Sequence, residues 1–165
     1  MNLILCGMMG AGKTTVGEAF AQKTGWLCCD TDRIIEERYG KITEIFSQYG
    51  ETYFRQLETQ LLKELVQKDG LVISVGGGLV LRAENVALLR QNGKIIYLRA
   101  KQETLEKRLA DDDTRPLLQT VEALSNRIKR LLDERTPIYE DVADYIVDVD
   151  GKTPQAIAAE IEKNI

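Results

Sequence analysis

Gly7-Met8-Met9-Gly10-Ala11-Gly12-Lys13-Thr14 fits the pattern G-x-x-x-x-G-K-[ST], whose glycines let successive backbone N–H groups turn toward the phosphates of one nucleotide. Lys13 in that pattern reaches the β and γ oxygens, and the Thr14 hydroxyl is placed to ligate Mg²⁺. The residues after it, 15–21, continue as a helix whose N-terminus is aimed at the loop, where an anion is stabilised. The apolar run before it, 2–6, reads as a buried strand, so an ordinary strand-to-helix turn accounts poorly for the segment.

Asp30-Thr31-Asp32 follows the second apolar run and offers two carboxylates at the same sheet edge as Lys13 and Thr14. One aspartate is enough to cap a helix beginning near Arg33, whereas the D-x-D alternation, if extended, points both side chains to roughly one side. The third strand ends in glycine and lacks the terminal acid that many phosphate-loop ATPases use for magnesium. Asp30 is therefore assigned to water-mediated metal support, which leaves Asp32 to orient an acceptor hydroxyl and take its proton. Gly76-Gly77-Gly78 directly after a buried strand costs backbone entropy that a plain turn does not require, and a ligand pressed against bare backbone explains it better than a slack connection. In Phe54-Arg55-x-x-Glu58, Arg55 and Glu58 stand at i, i+3, which by itself is most often a surface ion pair of little value. Arg135, before Thr136-Pro137-Ile138-Tyr139, reads as lying near a helix end, where it could merely complement the dipole. If both arginines reach one cleft, their forks suit a substrate carboxylate. Arg115 could meet charge on a transferring phosphoryl group, and Arg108 could stack on an adenine face.

These residues need a scaffold that gathers them. Apolar runs at 3–6, 26–29, 71–75, 94–98 and 145–149 alternate with helical patterns, which predicts five strands in a parallel sheet with helices on both faces. The longest helix is expected over about 52–67, where Phe54, Leu57, Leu61, Leu62 and Leu65 recur at helical spacing and Gly70 supplies a stop. Ligands of such sheets gather beyond the carboxyl ends of the strands, and the residues named above fall there. Two stretches interrupt the alternation: roughly 33–61, with short helices stopped by Gly40 and Gly50, and roughly 110–123, polar and carrying Pro116, which reads as a lid that excludes water during phosphoryl transfer.

With 165 residues, 44% apolar and 29% charged, the chain is one soluble domain. The net charge of −4 gives no broad cationic face for a phosphate backbone, so no nucleic-acid partner is expected. The absence of histidine excludes His-dependent triads and His-ligated metals. Cys6, Cys28 and Cys29 are expected as buried free thiols of a reducing cytoplasm, and the N-terminus shows neither a secretory signal nor a membrane anchor. The lack of a long apolar stripe leans toward a monomer.

In their order along the chain, G-x-x-G-x-G-K-T, D-T-D, F-R-x-x-E, G-G-G, R-P-L-L and E-R-x-P-x-Y resemble shikimate kinase over essentially the whole length. The resemblance implies a three-layer α/β/α phosphate-loop fold with a parallel sheet ordered 2-3-1-4-5, a substrate-binding insertion, a lid, and phosphorylation of the 3-hydroxyl of shikimate by magnesium ATP. It implies that Gly10, Ala11, Gly12, Lys13, Thr14 and Thr15 hold ATP phosphates, that Thr14 ligates the metal, and that Asp32 contacts the shikimate hydroxyls. Arg55, Gly77 and Arg135 match further shikimate contacts, with Gly76 and Gly78 beside them, and the two arginines meet the carboxylate. Phe46 and Phe54 match apolar walls of the acceptor pocket, Arg115 the lid arginine and Arg108 the residue near adenine. Gly151 to Pro154, with Lys152, matches the loop closing over the base. Departures are small: Gly7-Met8-Met9 is a common variant, and Ser74 stands where members differ. A gluconate-type or nucleoside monophosphate kinase, and a nucleotide-binding module without catalysis, are the rival readings.

Overall fold

The structure, a computed structural model, describes residues 1–110 and 121–165. Five strands, β1 (Asn2–Cys6), β2 (Leu27–Asp30), β3 (Leu71–Ser74), β4 (Gly93–Arg99) and β5 (Tyr145–Asp148), form one all-parallel sheet in the order β2-β3-β1-β4-β5. The ends differ from the sequence expectation by a residue or so, as fraying strand ends do. β1 is buried along its whole length because it sits in the middle of the sheet with helices over both faces, which is why its sequence is a run of apolar residues rather than an alternation.

The direction of each crossover fixes the layers. β1 connects through α1 (Lys13–Thr24) toward β2, whereas β3 connects through α5 (Ala83–Gln91) toward β4 on the other side of β1. Right-handed connections therefore put α1 on one face, where α8 (Pro154–Lys163) packs beside it. α4 (Glu51–Leu65), α5 and α7 (Val121–Val142) cover the opposite face. The loops leaving β1 and β3 diverge at this point and open a crevice at the carboxyl edge. Register sets the level: Leu5 pairs with Ser74 and Ser74 with Asp30, so the ends of β1, β2 and β3 meet in one row.

α2 (Thr31–Tyr39), α3 (Ile42–Tyr49) and α4 occupy the first interrupting stretch, and Gly40 and Gly50 close α2 and α3 at positive φ. α4 runs as the spacing predicted, burying Phe54, Leu57, Leu61, Leu62 and Leu65. α6 (Gln102–Ala110) leads to the second stretch, where the expected lid, including Arg115, falls for the most part outside the described residues.

Two expectations need correction. Cys6 is buried, but Cys28 and Cys29 are only half-buried because β2 is the edge strand; all three are free. Arg135 is not near a helix end: α7 continues through Pro137 to Val142, and buried Tyr139 and Val142 hold that last stretch against the core despite the hydrogen bond that proline forfeits.

Candidate active site

α1 begins without a side-chain cap. Its N-cap is Gly12, at φ 90°, and Gly7 and Gly10 also have positive φ, so the loop turns its free N–H groups inward in a conformation that side chains resist. Lys13 lies along this loop and donates to the carbonyls of Gly7 (2.8 Å) and Met8 (2.9 Å). Burial pulls its ammonium down to about 8, against the opposing pull of Asp32 and Asp30. Arg108 reaches across from α6 to donate to the Gly10 carbonyl at 3.0 Å.

The Thr14 hydroxyl, on the first turn of α1, donates to Asp30 Oδ2 at 2.6 Å and lies 3.4 Å from the Ser74 hydroxyl. Asp30 has a second task, for its Oδ1 accepts from the Arg33 N–H and caps α2. That cap corrects the expected extended D-x-D: α2 starts at Thr31, so Asp32 stands on its first turn rather than beside Asp30 on a strand. Asp32 nevertheless lines the same crevice. Burial, with the charge of Asp30 behind it, pushes its carboxyl above the usual range while Lys13 and Arg55 pull it back.

The glycine triplet is required by the protein's own charged groups. A Cβ on Gly76 would stand 2.7 Å from Asp32 Oδ1, one on Gly77 3.0 Å from Arg135 Nη1, and one on Gly78 2.4 Å from Arg55 Nη2. None of these three has positive φ, so they are glycines for space. Thr31, fully buried, accepts from the Gly76 N–H at 3.1 Å and ties the loop to the start of α2.

The Arg55–Glu58 pair is also corrected. Glu58 is fully buried and accepts from Arg55 at 2.6 Å through Oε1, while its Oε2 has no hydrogen-bond partner among the described residues. Burial pushes this carboxyl up to about 7, opposed by Arg55. A pair on one helix looks like a surface feature until the helix is seen to press against the glycine loop. Arg55 also stands over the Phe54 ring at 5.3 Å, and Phe54 packs on Phe46 at 5.0 Å between centroids, giving the cavity an apolar wall.

One cavity of about 710 Å³ unites these groups. Gly10, Ala11, Gly12, Lys13, Thr14, Thr15, Asp30, Asp32, Phe46, Phe54, Arg55, Gly76, Gly77, Gly78, Arg108, Arg135, Lys152 and Pro154 all line it. Arg115 lies outside the described residues. Arg127, on α7 two turns before Arg135, and Ile42 line it too, and neither was singled out in the sequence; Arg127 carried no signal beyond its spacing from Arg135.

The shikimate kinase family model matches residues 9–165. The shikimate kinase of Thermodesulfovibrio yellowstonii is 45% identical over 98% of this chain and 93% of its own length. Among solved structures, shikimate kinase from Acinetobacter baumannii in complex with shikimate superposes with a TM-score of 0.89 at 38% identity, covering 98% of this chain and 90% of that one. The enzyme from Bacteroides thetaiotaomicron gives 0.89 at 34% identity, covering 99% and 95%. This chain belongs to the shikimate kinase family.

Members of that family use ATP with a divalent metal, and the donor set here fits one. The Thr14 hydroxyl and the Asp30 carboxylate are hard oxygen donors at the N-terminus of α1, and no cluster of three acidic or sulfur ligands exists among the described residues. So sparse a set suits a small hard cation that keeps phosphate and water as its other ligands. At the far rim, Thr153 caps α8, Pro154 follows as its first residue, and Lys152 pairs with Glu160 at 2.8 Å, so the segment expected to close over the base is the start of a helix.

Proposed function

We infer that this chain transfers the γ-phosphoryl group of ATP to the 3-hydroxyl of shikimate, giving ADP and shikimate 3-phosphate. The observation that carries this reading is that Arg55 and Arg135, from two helices, share one cavity with Lys13 and Asp32. Two guanidinium groups facing a carboxylate base across a phosphate loop suit a small anionic alcohol.

In this reading the backbone N–H groups of Gly10 to Thr15 and the Lys13 ammonium hold the phosphates, Thr14 and Asp30 would hold Mg²⁺, and Arg108, Lys152 and Pro154 flank the base. Bound there, the metal would neutralise charge on the phosphates. Arg55 and Arg135 take the shikimate carboxylate, Gly76 to Gly78 and Phe46 with Phe54 shape its seat, and Asp32 binds the reacting hydroxyl. The acceptor oxygen bonds to the γ phosphorus as the bond to the bridging oxygen breaks and ADP leaves with that electron pair. The hydroxyl proton passes to Asp32, whose raised basicity suits the transfer. Lys13 and Arg115 meet the charge on the equatorial oxygens of a loose transition state, so placement and electrostatics supply most of the rate.

α2, α3 and the start of α4 act as the acceptor-binding insertion, and 110–123 as the lid. The enzyme acts as a monomer, in keeping with a sequence that carries no long apolar stripe. It works in the cytoplasm, where the free thiols of Cys6, Cys28 and Cys29 stay reduced.

An assay of ADP release with shikimate, gluconate, a nucleoside monophosphate and no acceptor tests the reading. Turnover with shikimate alone is expected. Equal release without any acceptor, or faster release with gluconate, would overturn it.

A further inference from the structure

Tyr139 packs the end of α7 against the core, and its hydroxyl, which packing does not use, donates to the Gly77 carbonyl at 2.5 Å. A buried tyrosine finds a partner for its hydroxyl, but that partner is commonly any nearby carbonyl; here it is the middle glycine of the loop lining the cavity. The Arg135 guanidinium, one turn earlier on α7, lies beside the same hydroxyl at Gly77, and its charge opposes the effect of burial there. A Cβ on Gly77 would stand 3.0 Å from Arg135 Nη1 and 3.5 Å from the Tyr139 hydroxyl, so arginine, phenol and loop meet at a single point. The phenol ring is itself held from β4, where buried Tyr97 packs on it at 5.0 Å between centroids. Burial pushes the Tyr139 hydroxyl up to about 12, which keeps it a donor across the working range.

We propose that Tyr139 is a positioning residue for the acceptor's carboxylate: its hydroxyl bridges the Gly77 carbonyl and the Arg135 guanidinium, fixing both in the orientation the acceptor meets. The phenol donates its proton to the carbonyl and offers a lone pair to the arginine. Phenylalanine would fill the same volume and keep the ring packing, so packing alone leaves the hydroxyl unexplained. Removing it frees Arg135 to sample other rotamers and leaves the Gly77 carbonyl without this donor.

The proposal rests on the reading of Arg135 as a carboxylate contact, and the experiment separates the two. Steady-state kinetics of the full chain are compared for wild type and Tyr139→Phe with shikimate and with its carboxamide. In wild type, shikimate is expected to be strongly preferred; no preference would overturn the carboxylate reading and this proposal with it. Tyr139→Phe is expected to raise the KM for shikimate about 10-fold, with kcat within about 3-fold and the KM for ATP unchanged. The penalty should vanish with the carboxamide, and again in an Arg135→Ala background, because the two residues act on one group. A penalty of equal size with both acceptors, or one that adds to that of Arg135→Ala, would make Tyr139 a core residue only and overturn the assignment while leaving the carboxylate reading intact. Should Tyr139→Phe fail to fold, Gly77→Ala presses on the same junction, and the same outcomes apply: a carboxylate-dependent rise in KM supports the proposal and a uniform one overturns it.

Discussion

The two halves of the cavity both depend on glycine, for opposite reasons. In the half proposed for the nucleotide, Gly7, Gly10 and Gly12 adopt positive φ, a conformation that suits a loop offering backbone N–H groups to an anion. In the acceptor half, Gly76 to Gly78 have conformations open to any residue, and they are glycines because Asp32, Arg135 and Arg55 lie where their Cβ atoms would be. One half is built from a contiguous run of backbone, the other from charged side chains of α2, α4 and α7 pressed onto a bare strand end. On the proposed reading, phosphate recognition is thereby separated from acceptor recognition, and variants should divide along the same line.

The largest effect is expected where the halves meet. Asp32→Asn keeps shape and hydrogen bonding but removes the base and its charge, so kcat should fall by about 10³-fold, within the range seen for general-base residues. The dissociation constant for ATP, measured by calorimetry, should change less than about 3-fold. A variant with near wild-type turnover would remove Asp32 from the reaction and make it one more buried charge of α2.

This division also explains what the sequence disclosed. The nucleotide half was legible because its eight residues are contiguous and their pattern states their mechanism; strand order and helix layers then followed from one resemblance and the handedness of crossovers. The acceptor half was legible as a set of motifs, while its geometry was not. Glu58 looked like the surface partner of Arg55, since i, i+3 spacing carries no sign of what lies over the helix, and it proved fully buried. Pro137 suggested that α7 stopped near Arg135, but buried contacts outweighed one lost hydrogen bond. Either aspartate of D-T-D suits a helix cap in the sequence, and Asp30 is the one that caps α2 while it accepts from Thr14; the extended D-x-D fails because α2 already starts at Thr31. Thr31 was passed over because a threonine between two aspartates draws no notice until its hydroxyl is seen holding the Gly76 N–H.

The acceptor half also holds a buried carboxyl group, and pH can expose it. Glu58 is raised from 4.5 to about 7, so the folded protein holds a proton that the unfolded chain releases. The associated stability is complete below pH 4.5 and is lost as pH rises through about 7. Glu58→Gln has no such group to titrate. In urea unfolding, the variant should therefore gain on wild type by about 3 kcal/mol between pH 4 and pH 8, an order-of-magnitude figure. Parallel stability curves for the two proteins would mean that the unpartnered Oε2 carries no strain.

Arg135→Ala sharpens the same comparison on the substrate side. Loss of a charge-assisted contact of about 2 kcal/mol should raise the KM for shikimate about 30-fold and leave that for ATP nearly unchanged. Equal effects on both substrates would place Arg135 on the nucleotide rather than the acceptor.

The smallest and most discriminating test exchanges single hydrogens for methyl groups. Gly12→Ala forces a side chain into positive φ at the cap of α1, which costs roughly 1 to 2 kcal/mol, and it should lower both thermal stability and ATP affinity. Gly78 has φ −95° and ψ −3°, which alanine accepts, and its new Cβ would meet only the flexible end of Arg55 at 2.4 Å. Arg55 should move aside and the fold should hold, so the melting temperature stays within about 2 °C while the KM for shikimate rises about 10-fold, the counterpart of about 1.4 kcal/mol. If Gly78→Ala instead melted early and bound shikimate normally, the triplet would be a conformational device like the phosphate loop, and the two halves would share one principle after all.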